Sequence, residues 1–514
     1  MNPDLDASGP PNAWSRRPQP GEERVLTIDG MADNGAGLAR AVLTVPDGSQ
    51  FNWAAEVRHA LPGEEVRVRI VRARRRRAEC ELLEVLRPSP ARVVPPCVHA
   101  GPYDGAGRGC GGCMLQAMDP AAQAASKAAR VATLLTEAGV DPAVIEPITT
   151  LESPFRYRNK MEFSFGDDYD RAPALGLHPS GMRFEILDVP DCHLLPAWAM
   201  AATGWARAFR RDRELPHHEE GRGRGWLRTL TIRLAFATGQ WSLDLCTADA
   251  EAPSRADGTP IDAEAEVAAW AAYARGRAES AGIVAPNLWW TRHRARRGER
   301  TVRTTVALGE AQPLHEEVRL SGRAPLALEI PPAAFFQPST PGAERIYGTV
   351  REFFVDGLAA GQAPRVLDLY CGTGSVGLAL ADRSASLVGV ELVPSAVDAA
   401  RRNAALNGAT NAEFHAGDAA KVLVEQGFDQ PGAFDVVVVD PPRAGLSAAA
   451  IEAVLAIRAP RLLYVSCNPQ SLACDLGPLA AAGYRVRRAR AVDQFPHSPH
   501  VETVVEVVGA GTTS

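Results

Sequence analysis

The pattern of apolar and polar positions divides the chain into three regions. Residues 22–88 contain short segments in which apolar and polar side chains alternate, separated by Asn-Gly, Asp-Gly and Pro-Gly turns. Such alternation with frequent turns is typical of a small β-barrel. In the segment EVRVRI the apolar side chains are predicted to face the interior, which places Arg67 and Arg69 on the outside. With Arg72 and the run Arg74–Arg77 close behind, this face is predicted to bind nucleic acid, although a lone arginine run is more often a solvated strand end.

The last third of the chain has a different pattern. The apolar runs RVLDLY, SLVGVEL, AFDVVVVD and RLLYVSC have the length of buried strands and alternate with alanine-rich helical stretches. This order predicts a doubly wound α/β domain with a parallel sheet over residues 331–508. Ligands of such sheets bind at the carboxyl ends of the strands, so the residues that follow each run are the candidate site residues.

Residues 93–330 are predicted to form a central α+β domain. The region mixes strand-like runs such as MEFSFG and TLTIRLAFA with a helical segment rich in alanine and glutamate. Its arginine-rich segments, 221–228 and 292–303, are predicted to be surface loops. Residues 1–21, which are rich in proline, glycine and aspartate, and residues 509–514 are predicted to be terminal tails.

Composition narrows the possible classes of protein. The chain has 514 residues, of which 46% are apolar and 23% charged, and these values exclude a wholly disordered, collagenous or coiled-coil protein. No apolar run reaches the length of about 18 residues that spans a membrane, and the first residues lack the features of a secretory signal. We therefore predict a cytoplasmic protein without a membrane segment. The net charge of −6 argues against binding nucleic acid by bulk charge, so any such contact must be local.

The segment VLDLYCGTGSVG runs from a buried strand through a glycine turn into a helix. Doubly wound folds bind nucleotides in this way, because glycine lets the backbone approach the ligand. The next strand ends at Glu391, where a carboxylate can accept both ribose hydroxyls, and the one after leads to Asp418, which suits an adenine amino group. Together these elements resemble class I S-adenosylmethionine-dependent methyltransferases. The candidate cofactor contacts are Tyr370, Gly372, Gly374, Ser375, Glu391 and Asp418.

Two further strand ends carry side chains that can take part in chemistry. The strand FDVVVV ends at Asp440, which is followed by two prolines, and enzymes that methylate amino groups also have an Asp-Pro-Pro motif at this place. The next strand ends in SCNP, which puts Cys467 at the same edge of the sheet. A cysteine on a buried strand is usually inert, whereas one at a strand end beside a cofactor site is a candidate nucleophile.

Four motifs in a fixed order point to one family. DLYCGTG, DPPRAGL, YVSCNP and DQFPHSPHVET together resemble the RNA uracil-5-methyltransferases, which make 5-methyluridine in rRNA and tRNA. The resemblance extends to residues 22–88, which look like the TRAM RNA-binding barrel that precedes many members. It implies S-adenosylmethionine as cofactor and RNA as substrate. The target base is expected to be flipped out or single-stranded, because a uracil inside a helix is inaccessible to a cysteine.

The resemblance also implies roles for single residues. Cys467 is the expected nucleophile that adds to carbon 6 of uracil, and Glu502 is the expected base that removes the proton from carbon 5 after methyl transfer. Asp440 is expected to contact the base or the cofactor, as is Gln337 in the segment FFQPS. Ser339 stands where the family usually has asparagine, which alters the local polar contacts and leaves the covalent chemistry untouched.

The nine cysteines favour metal ligands or buried thiols over disulfides in a cytoplasmic chain of this length. Four of them form a separate set: one cysteine, a Cys-Gly-Gly-Cys pair after twelve intervening residues, and a later Pro-Asp-Cys segment, namely Cys97, Cys110, Cys113 and Cys192. By itself this donor set suits either zinc or an iron–sulfur cluster. The family resemblance implies a 4Fe–4S cluster, with the neighbouring His99 and His193 outside the ligand set.

The sequence therefore predicts a monomeric 23S rRNA (uracil-5-)-methyltransferase. A tRNA enzyme is the nearest alternative, and rRNA is favoured because bacterial tRNA members of the family commonly lack the barrel and the cluster. A second alternative is a non-catalytic RNA-binding or assembly factor, which the acidic net charge and Ser339 favour but the presence of Cys467, Asp440 and Glu502 opposes. A third is an N-methyltransferase, whose reaction needs neither Cys467 nor Glu502.

Overall fold

The computed structural model describes residues 12–102, 107, 109–182, 184–219, 223–249, 253–255, 257–295 and 298–509. Most of the predicted N-terminal tail and nearly all of the C-terminal one, as well as parts of the two arginine-rich segments, lie outside these residues. Within the described ranges, no helix combines the length and the apolar character needed to cross a bilayer.

The N-terminal strands form one barrel-like sheet, in the spatial order β1-β4-β5-β7-β6-β2 with β3 paired to β4. The strands are β1 (Asn12–Trp14), β2 (Glu23–Thr27), β3 (Gly30–Met31), β4 (Gly37–Thr44), β5 (Gln50–Val57), β6 (Glu65–Arg74) and β7 (Arg77–Arg87). Val66, Val68 and Ile70 are fully buried, so the predicted alternation in β6 is confirmed. The Asn12 side chain closes the sheet by bonding both the carbonyl and the amide of Thr27.

The prediction of a disordered tail over residues 1–21 is wrong for its described part. Residues 12–14 form β1, which pairs in parallel with β4, and the Trp14 ring is buried against Trp53 in the barrel core. Burial of an indole contributes enough apolar area to order this segment. The sequence did not indicate it, because a three-residue strand is too short to show an alternating pattern.

The arginine face of the barrel is largely neutralised by cross-strand pairs. Arg67, Arg69 and Arg72 of β6 each lie within 4 Å of a glutamate on β7. The turn between these strands differs, since Arg75 and Arg76 both have positive φ angles of 49° and 64°. Hairpins usually place asparagine or glycine at such positions, because the left-handed conformation costs other residues roughly 1–2 kcal/mol each. No carboxylate of the described residues pairs with the turn arginines.

The central region is built on a seven-stranded sheet with the order β11-β10-β9-β12-β13-β14-β15. It follows helix α1 (Pro120–Glu137), a short 3-10 helix (Pro142–Val144) and strand β8 (Ile145–Thr150). Its elements are β9 (Lys160–Asp167), β10 (Pro173–Leu177), β11 (Leu187–Asp188), α2 (Ala197–Asp212), β12 (Leu227–Leu234), β13 (Trp241–Ala248), α3 (Ala263–Ser280), β14 (Asn287–Arg294) and β15 (Val302–Ala307). Helices α2 and α3 cover one face, where Trp226, Trp241 and Trp270 form the centre of the core.

The C-terminal region is the predicted doubly wound α/β domain. Its eight-stranded sheet has the order β20-β19-β18-β21-β22-β24-β23-β8. The elements are β16 (Leu314–Val318), β17 (Leu326–Ile330), α4 (Thr340–Asp356), β18 (Arg365–Leu369), α5 (Ser375–Leu378), a 3-10 helix (Ala381–Arg383), β19 (Ser386–Glu391), α6 (Pro394–Leu406), β20 (Ala412–Ala416), α7 (Ala419–Glu425), β21 (Val436–Val439), α8 (Ala448–Ile457), β22 (Arg461–Ser466), α9 (Pro469–Ala481), β23 (Arg485–Asp493) and β24 (Glu502–Val508).

The predicted boundary between the central and C-terminal domains is wrong at both ends of the central region. Strand β8 pairs with β23 at the edge of the C-terminal sheet, and α1 packs against α9 and β23. The β16–β17 hairpin also buries its apolar side chains against α4. Residues 120–150 and 314–330 thus belong to the C-terminal domain, which is discontinuous in sequence. The partners of residues 120–150 lie more than 300 residues along the chain, where local patterns carry no signal.

Helix α1 anchors the DQFPHSPHVET segment through buried polar contacts. The Lys127 ammonium lies 2.7 Å from the Asp493 carboxylate and 3.0 Å from the carbonyl of Phe495. One turn earlier, the side-chain oxygen of Gln123 accepts a hydrogen bond from the backbone amide of His497. Tyr157 of the central region donates to the carbonyl of Pro496. The loop that leads to Glu502 is therefore fixed from two sides.

We predict that Lys127→Met destabilises the protein by about 3 kcal/mol, because it leaves the Asp493 carboxylate buried without its cation. Arg69→Met provides the control, since it breaks a pair whose side chains are nearly half exposed and should cost less than about 1 kcal/mol. Urea unfolding followed by circular dichroism measures both effects. Equal midpoints for the two variants would contradict a structural role for the buried pair.

Candidate active site

The loop between β18 and α5 has the backbone geometry that its glycines predict. Tyr370, Gly372 and Gly374 all have positive φ angles, of 63°, 55° and 80°. At Gly374 a Cβ atom would also approach Ala400 and Phe414 to 3.1 Å, so both conformation and space favour glycine there. Ser375 begins α5, and its hydroxyl lies 3.0 Å from that of Tyr347. The loop thus leaves its backbone open to a ligand at the strand ends.

The two predicted acids beside this loop are also at strand ends, but they are engaged differently. Glu391 ends β19, and its carboxylate accepts the backbone amides of Gly372 at 3.2 Å and Val393 at 2.9 Å. Asp418 is the N-cap of α7, where one carboxylate oxygen accepts the amide of Lys421. Both side chains keep acceptor capacity beyond these bonds. Their contacts with ribose and adenine stay predictions.

A further acid under the loop was missed by the sequence analysis. Asp368 is fully buried at the penultimate position of β18, and one of its oxygens accepts the amide of Gly377 at 2.9 Å. The other oxygen has no hydrogen-bond partner among the described residues. Burial raises the pKa of Asp368 to about 7. This acceptor and the glycine loop fit a cofactor with polar donor groups and a positive charge. The acid in VLDLY is the signal that could have found it.

The sheet topology brings the three predicted catalytic residues together. Asp440 follows β21 and Cys467 follows β22, and these strands are parallel neighbours. Strand β24 runs antiparallel to β22, with Ser466 opposite Thr503. Because Glu502 precedes Thr503 and Cys467 follows Ser466, the two side chains extend from adjacent register positions at the same sheet edge. Asp440 lies at the next strand end.

The electrostatics of this cluster are dominated by burial and by its own negative charges. Burial raises the pKa of Glu502 to about 7, opposed by a hydrogen bond from Gln494 and by Arg443. The pKa of Asp440 is raised well above its usual value by burial and by Glu502. Burial also raises the pKa of Cys467 to about 11, with help from Glu502 and Asp440. Burial and the neighbouring acids thus favour the thiol form of Cys467 and the neutral form of Asp440.

Gln337 joins this cluster from the segment that precedes α4. Its side-chain oxygen accepts a hydrogen bond of 2.9 Å from Gln494, whose amide also donates to Glu502 at 2.9 Å. Asn159 holds the backbone here by donating to the carbonyl of Gln337 at 3.0 Å. Ser339 caps α4 by accepting the amide of Gly342, a task that serine performs as well as asparagine. Gln494 and Asn159 were not singled out, since only tertiary contacts reveal them.

The four predicted cluster ligands line one cavity of about 970 Å³ between the barrel and the central sheet. Cys110 and Cys192 are buried, whereas Cys97 and Cys113 are half-buried. The thiols are close enough for Cys97 and Cys192 to contribute to the raised pKa of Cys110. However, no three His, Cys, Asp or Glu side chains in the described part of the chain form a group that could hold a metal ion.

Comparison with known proteins identifies the family. The family model for tRNA (uracil-5-)-methyltransferases matches residues 299–508. An uncharacterized RNA methyltransferase of Caldanaerobacter subterraneus subsp. tengcongensis is 33% identical over 454 residues, which cover 87% of this chain and 92% of that protein. Another, from Nitratidesulfovibrio vulgaris, is 34% identical over 490 residues, or 93% and 94%. The chain belongs to the RNA uracil-5-methyltransferase family.

Membership in the RNA uracil-5-methyltransferase family makes this chain an S-adenosylmethionine-dependent enzyme that methylates carbon 5 of uridine in RNA. A solved structure agrees with the fold. The tRNA (uracil-54, C5)-methyltransferase of Pyrococcus abyssi, in complex with S-adenosyl-L-homocysteine, matches with a TM-score of 0.66 and 22% identity. The match covers 94% of this chain and 100% of that one. The predicted class I methyltransferase domain is confirmed.

We predict that the Cys467 thiol of the free enzyme reacts slowly with iodoacetamide at neutral pH. Because a pKa of about 11 leaves little thiolate, the alkylation rate should rise about tenfold per pH unit between pH 7 and 10. Glu502→Gln removes a carboxylate that is largely ionised at pH 8 and that raises the pKa of Cys467, so this variant should lower that pKa and speed alkylation several-fold at pH 8. Mass spectrometry of the modified peptides measures both rates, with the exposed Cys474 as internal reference. A rate that is already constant above pH 8 would contradict the raised pKa.

Proposed function

We propose that this enzyme methylates a uridine of 23S rRNA through a covalent bond between Cys467 and carbon 6 of the base. The observation that carries the proposal is the register of β22 and β24, which sets Cys467 beside Glu502 at the strand ends. An N-methyltransferase needs neither a nucleophile nor a base at these positions. A binding factor without activity has no use for three buried ionisable groups that are costly to desolvate.

The chemistry divides among three side chains. Addition of the Cys467 thiolate to carbon 6 makes carbon 5 nucleophilic, with negative charge delocalised onto oxygen 4. Asp440 can donate a hydrogen bond to such an oxygen in its protonated form, which its raised pKa favours. After methyl transfer, Glu502 takes the proton from carbon 5, and its pKa near 7 suits a base at neutral pH. Elimination of Cys467 then releases the product.

We propose that the cofactor lies along the loop from Tyr370 to Ser375, with Glu391 and Asp418 at its nucleoside end and Asp440 and Gln337 at its reacting end. S-adenosylmethionine supplies an electrophilic methyl group on a sulfonium centre. The buried carboxyl group of Asp368, whose pKa of about 7 lets it ionise, suits a cation of this kind.

We propose that the barrel is a TRAM domain and that its β6–β7 turn contacts the RNA backbone. The candidates are Arg74, Arg75 and Arg76, since the arginines that come earlier in β6 are paired with glutamates. The guanidinium of Arg76 lies 4.9 Å over the Phe51 ring, an arrangement that also suits stacking on a base. Arg75 and Arg76 adopt a backbone conformation that favours asparagine and glycine and that costs the fold stability. A role in binding RNA explains these arginines better than a role in stabilising the barrel.

A tRNA substrate is the second candidate. It is supported by the match to the Pyrococcus abyssi enzyme, which acts on tRNA uracil-54 and which this chain covers over its full length, barrel included. The rRNA substrate is proposed on the family resemblance of the barrel and the cysteine set. The monomeric state and the cytoplasmic location stay predictions.

The decisive experiment incubates the enzyme and labelled S-adenosylmethionine with unmodified 23S rRNA and with unmodified tRNA transcripts, followed by nucleoside analysis. We expect 5-methyluridine in rRNA alone. Cys467→Ala should lower the yield by about 10⁴-fold, because no other group can activate carbon 5. 5-Methyluridine in tRNA alone would show that the substrate is tRNA and would leave the proposed chemistry unchanged. Normal turnover by Cys467→Ala would overturn the covalent mechanism.

We propose that Cys97, Cys110, Cys113 and Cys192 bind a 4Fe–4S cluster. The proposal is supported by four thiols that line one cavity. The donor set itself suits either zinc or a cluster, and the cluster is proposed on the family resemblance of the cysteine set. Bound here, the cluster would join the barrel side of the cavity, at Arg58, to the central sheet.

We predict about four iron and four sulfide ions per chain after anaerobic purification and reconstitution. Cys110→Ser and Cys192→Ser should each lose most of the iron and the visible absorption of the cluster. Cys246→Ser is the control, because Cys246 is buried in the central sheet outside this cavity. A single zinc ion per chain, or no metal after reconstitution, would overturn the cluster.

A further inference from the structure

We propose that Gln494 is a positioning residue for the base step, and that it holds the Glu502 carboxylate in place through a hydrogen-bonded chain to Gln337 and Asn159. The inference rests on the proposed role of Glu502. In that step the carbon-5 proton moves to the Glu502 carboxylate. The electrons of the broken C–H bond form the carbon 5–carbon 6 double bond, and the carbon 6–sulfur bond breaks with its electron pair going to Cys467.

The contacts of Gln494 are selective and buried. Its amide nitrogen donates to Glu502 and to Gln337, at 2.9 Å in both cases, and the exposed fractions of these three side chains are 0%, 4% and 5%. An amide nitrogen has two hydrogens, so both donors are used. No other hydrogen bond to the Glu502 carboxylate is found among the described residues. The direction of this carboxylate therefore depends on Gln494.

The chain of bonds continues into the central region. The Asn159 amide donates to the carbonyl of Gln337 and to the hydroxyl of Thr340, each at 3.0 Å. Thr340 in turn donates to the buried carboxylate of Glu316 at 2.7 Å. Glu316 also accepts the backbone amides of Phe236 and Ala237. Gln337 is thus held by a rigid polar network and provides a fixed second acceptor for Gln494.

The position of Gln494 also depends on a glycine in helix α4. A Cβ atom at Gly342 would lie 2.6 Å from the Cβ and 2.9 Å from the side-chain oxygen of Gln494. That oxygen has no hydrogen-bond partner among the described residues, so it contributes nothing that offsets the burial of the amide. Within the described residues, the site therefore provides hydrogen-bond partners for the nitrogen of the Gln494 amide and none for its oxygen. This fits a role in which the nitrogen is needed to bind Glu502.

The hydrogen bond has an electrostatic consequence for the base. A donor to a carboxylate favours the ionised form, and Gln494 lowers the pKa of Glu502 against the effect of burial. Loss of the donor should therefore raise the pKa, so that a larger fraction of Glu502 is protonated at neutral pH and unable to accept the carbon-5 proton. Addition of Cys467 and methyl transfer precede this step and should be affected less.

The test compares Gln494→Met, Gly342→Ala and Glu502→Gln in single-turnover reactions with the RNA that the wild-type enzyme methylates. A denaturing gel resolves the covalent enzyme–RNA adduct, and nucleoside analysis of the trapped RNA shows whether it is methylated. We expect the methylated adduct to accumulate in all three variants. Its release should slow about 10- to 100-fold in Gln494→Met, and the acidic limb of the release rate should move up by about one pH unit.

The controls separate the possible failures. Gln426→Met makes the same change at an exposed glutamine and should leave release unaltered. Release at the wild-type rate by Gln494→Met, with accumulation in Glu502→Gln, would overturn the role of Gln494 alone. Absence of methylated adduct in Glu502→Gln would overturn the base assignment on which it rests. If Gln494→Met fails to fold, Gly342→Ala decides, because alanine suits the helix and its Cβ atom would meet Gln494 first, at 2.6 Å, and the Ser339 hydroxyl only at 3.0 Å.

Discussion

The properties of the candidate active site follow from the free-energy cost of burying several acidic side chains at one edge of a sheet. Asp368, Asp440 and Glu502 come from neighbouring strand ends, and burial raises the pKa of each. The strand order fixes their proximity, so the chain cannot lower this cost by moving them apart. It is lowered instead by protonation, by the Gln494 bond and by the positive charge of the exposed Arg443. A site of this kind gains most when a positively charged ligand enters it.

The same constraint governs Cys467, the proposed nucleophile. Neighbouring carboxylates and burial keep Cys467 in the thiol form, and a thiol is neither a strong nucleophile nor readily oxidised. Reactivity at Cys467 is thereby linked to charge changes in the occupied site. The polar anchors around it, from Lys127 and Gln123 of α1 to Tyr157 of the central region, hold the geometry while the charges change. Rigid positioning and a low resting reactivity are two effects of one buried cluster.

The parts that the sequence predicted are those that local patterns encode. Alternation in β6, the glycine turn before Ser375 and the acids at strand ends all lie within a few residues of the signal that indicates them. The discontinuous catalytic domain was not predicted, because β8 and α1 acquire their role only through contacts with β23 and α9. Gln494 was hidden for the same reason: its partners, Gln337 and Glu502, are recognised only when the fold brings them to it.

The pairing of β8 with β23 affects how the chain folds during its synthesis. Ile145 lies opposite Ala489, so roughly 340 residues separate the partners along the chain. At about 5–20 residues per second, the ribosome completes the second strand roughly 20 to 70 s after the first. Throughout that interval β8 lacks its partner strand, and α1 lacks the packing surface that α9 and β23 provide. The central sheet, whose strands are translated in between, can fold first and hold these early segments close to the place that the last strands will occupy.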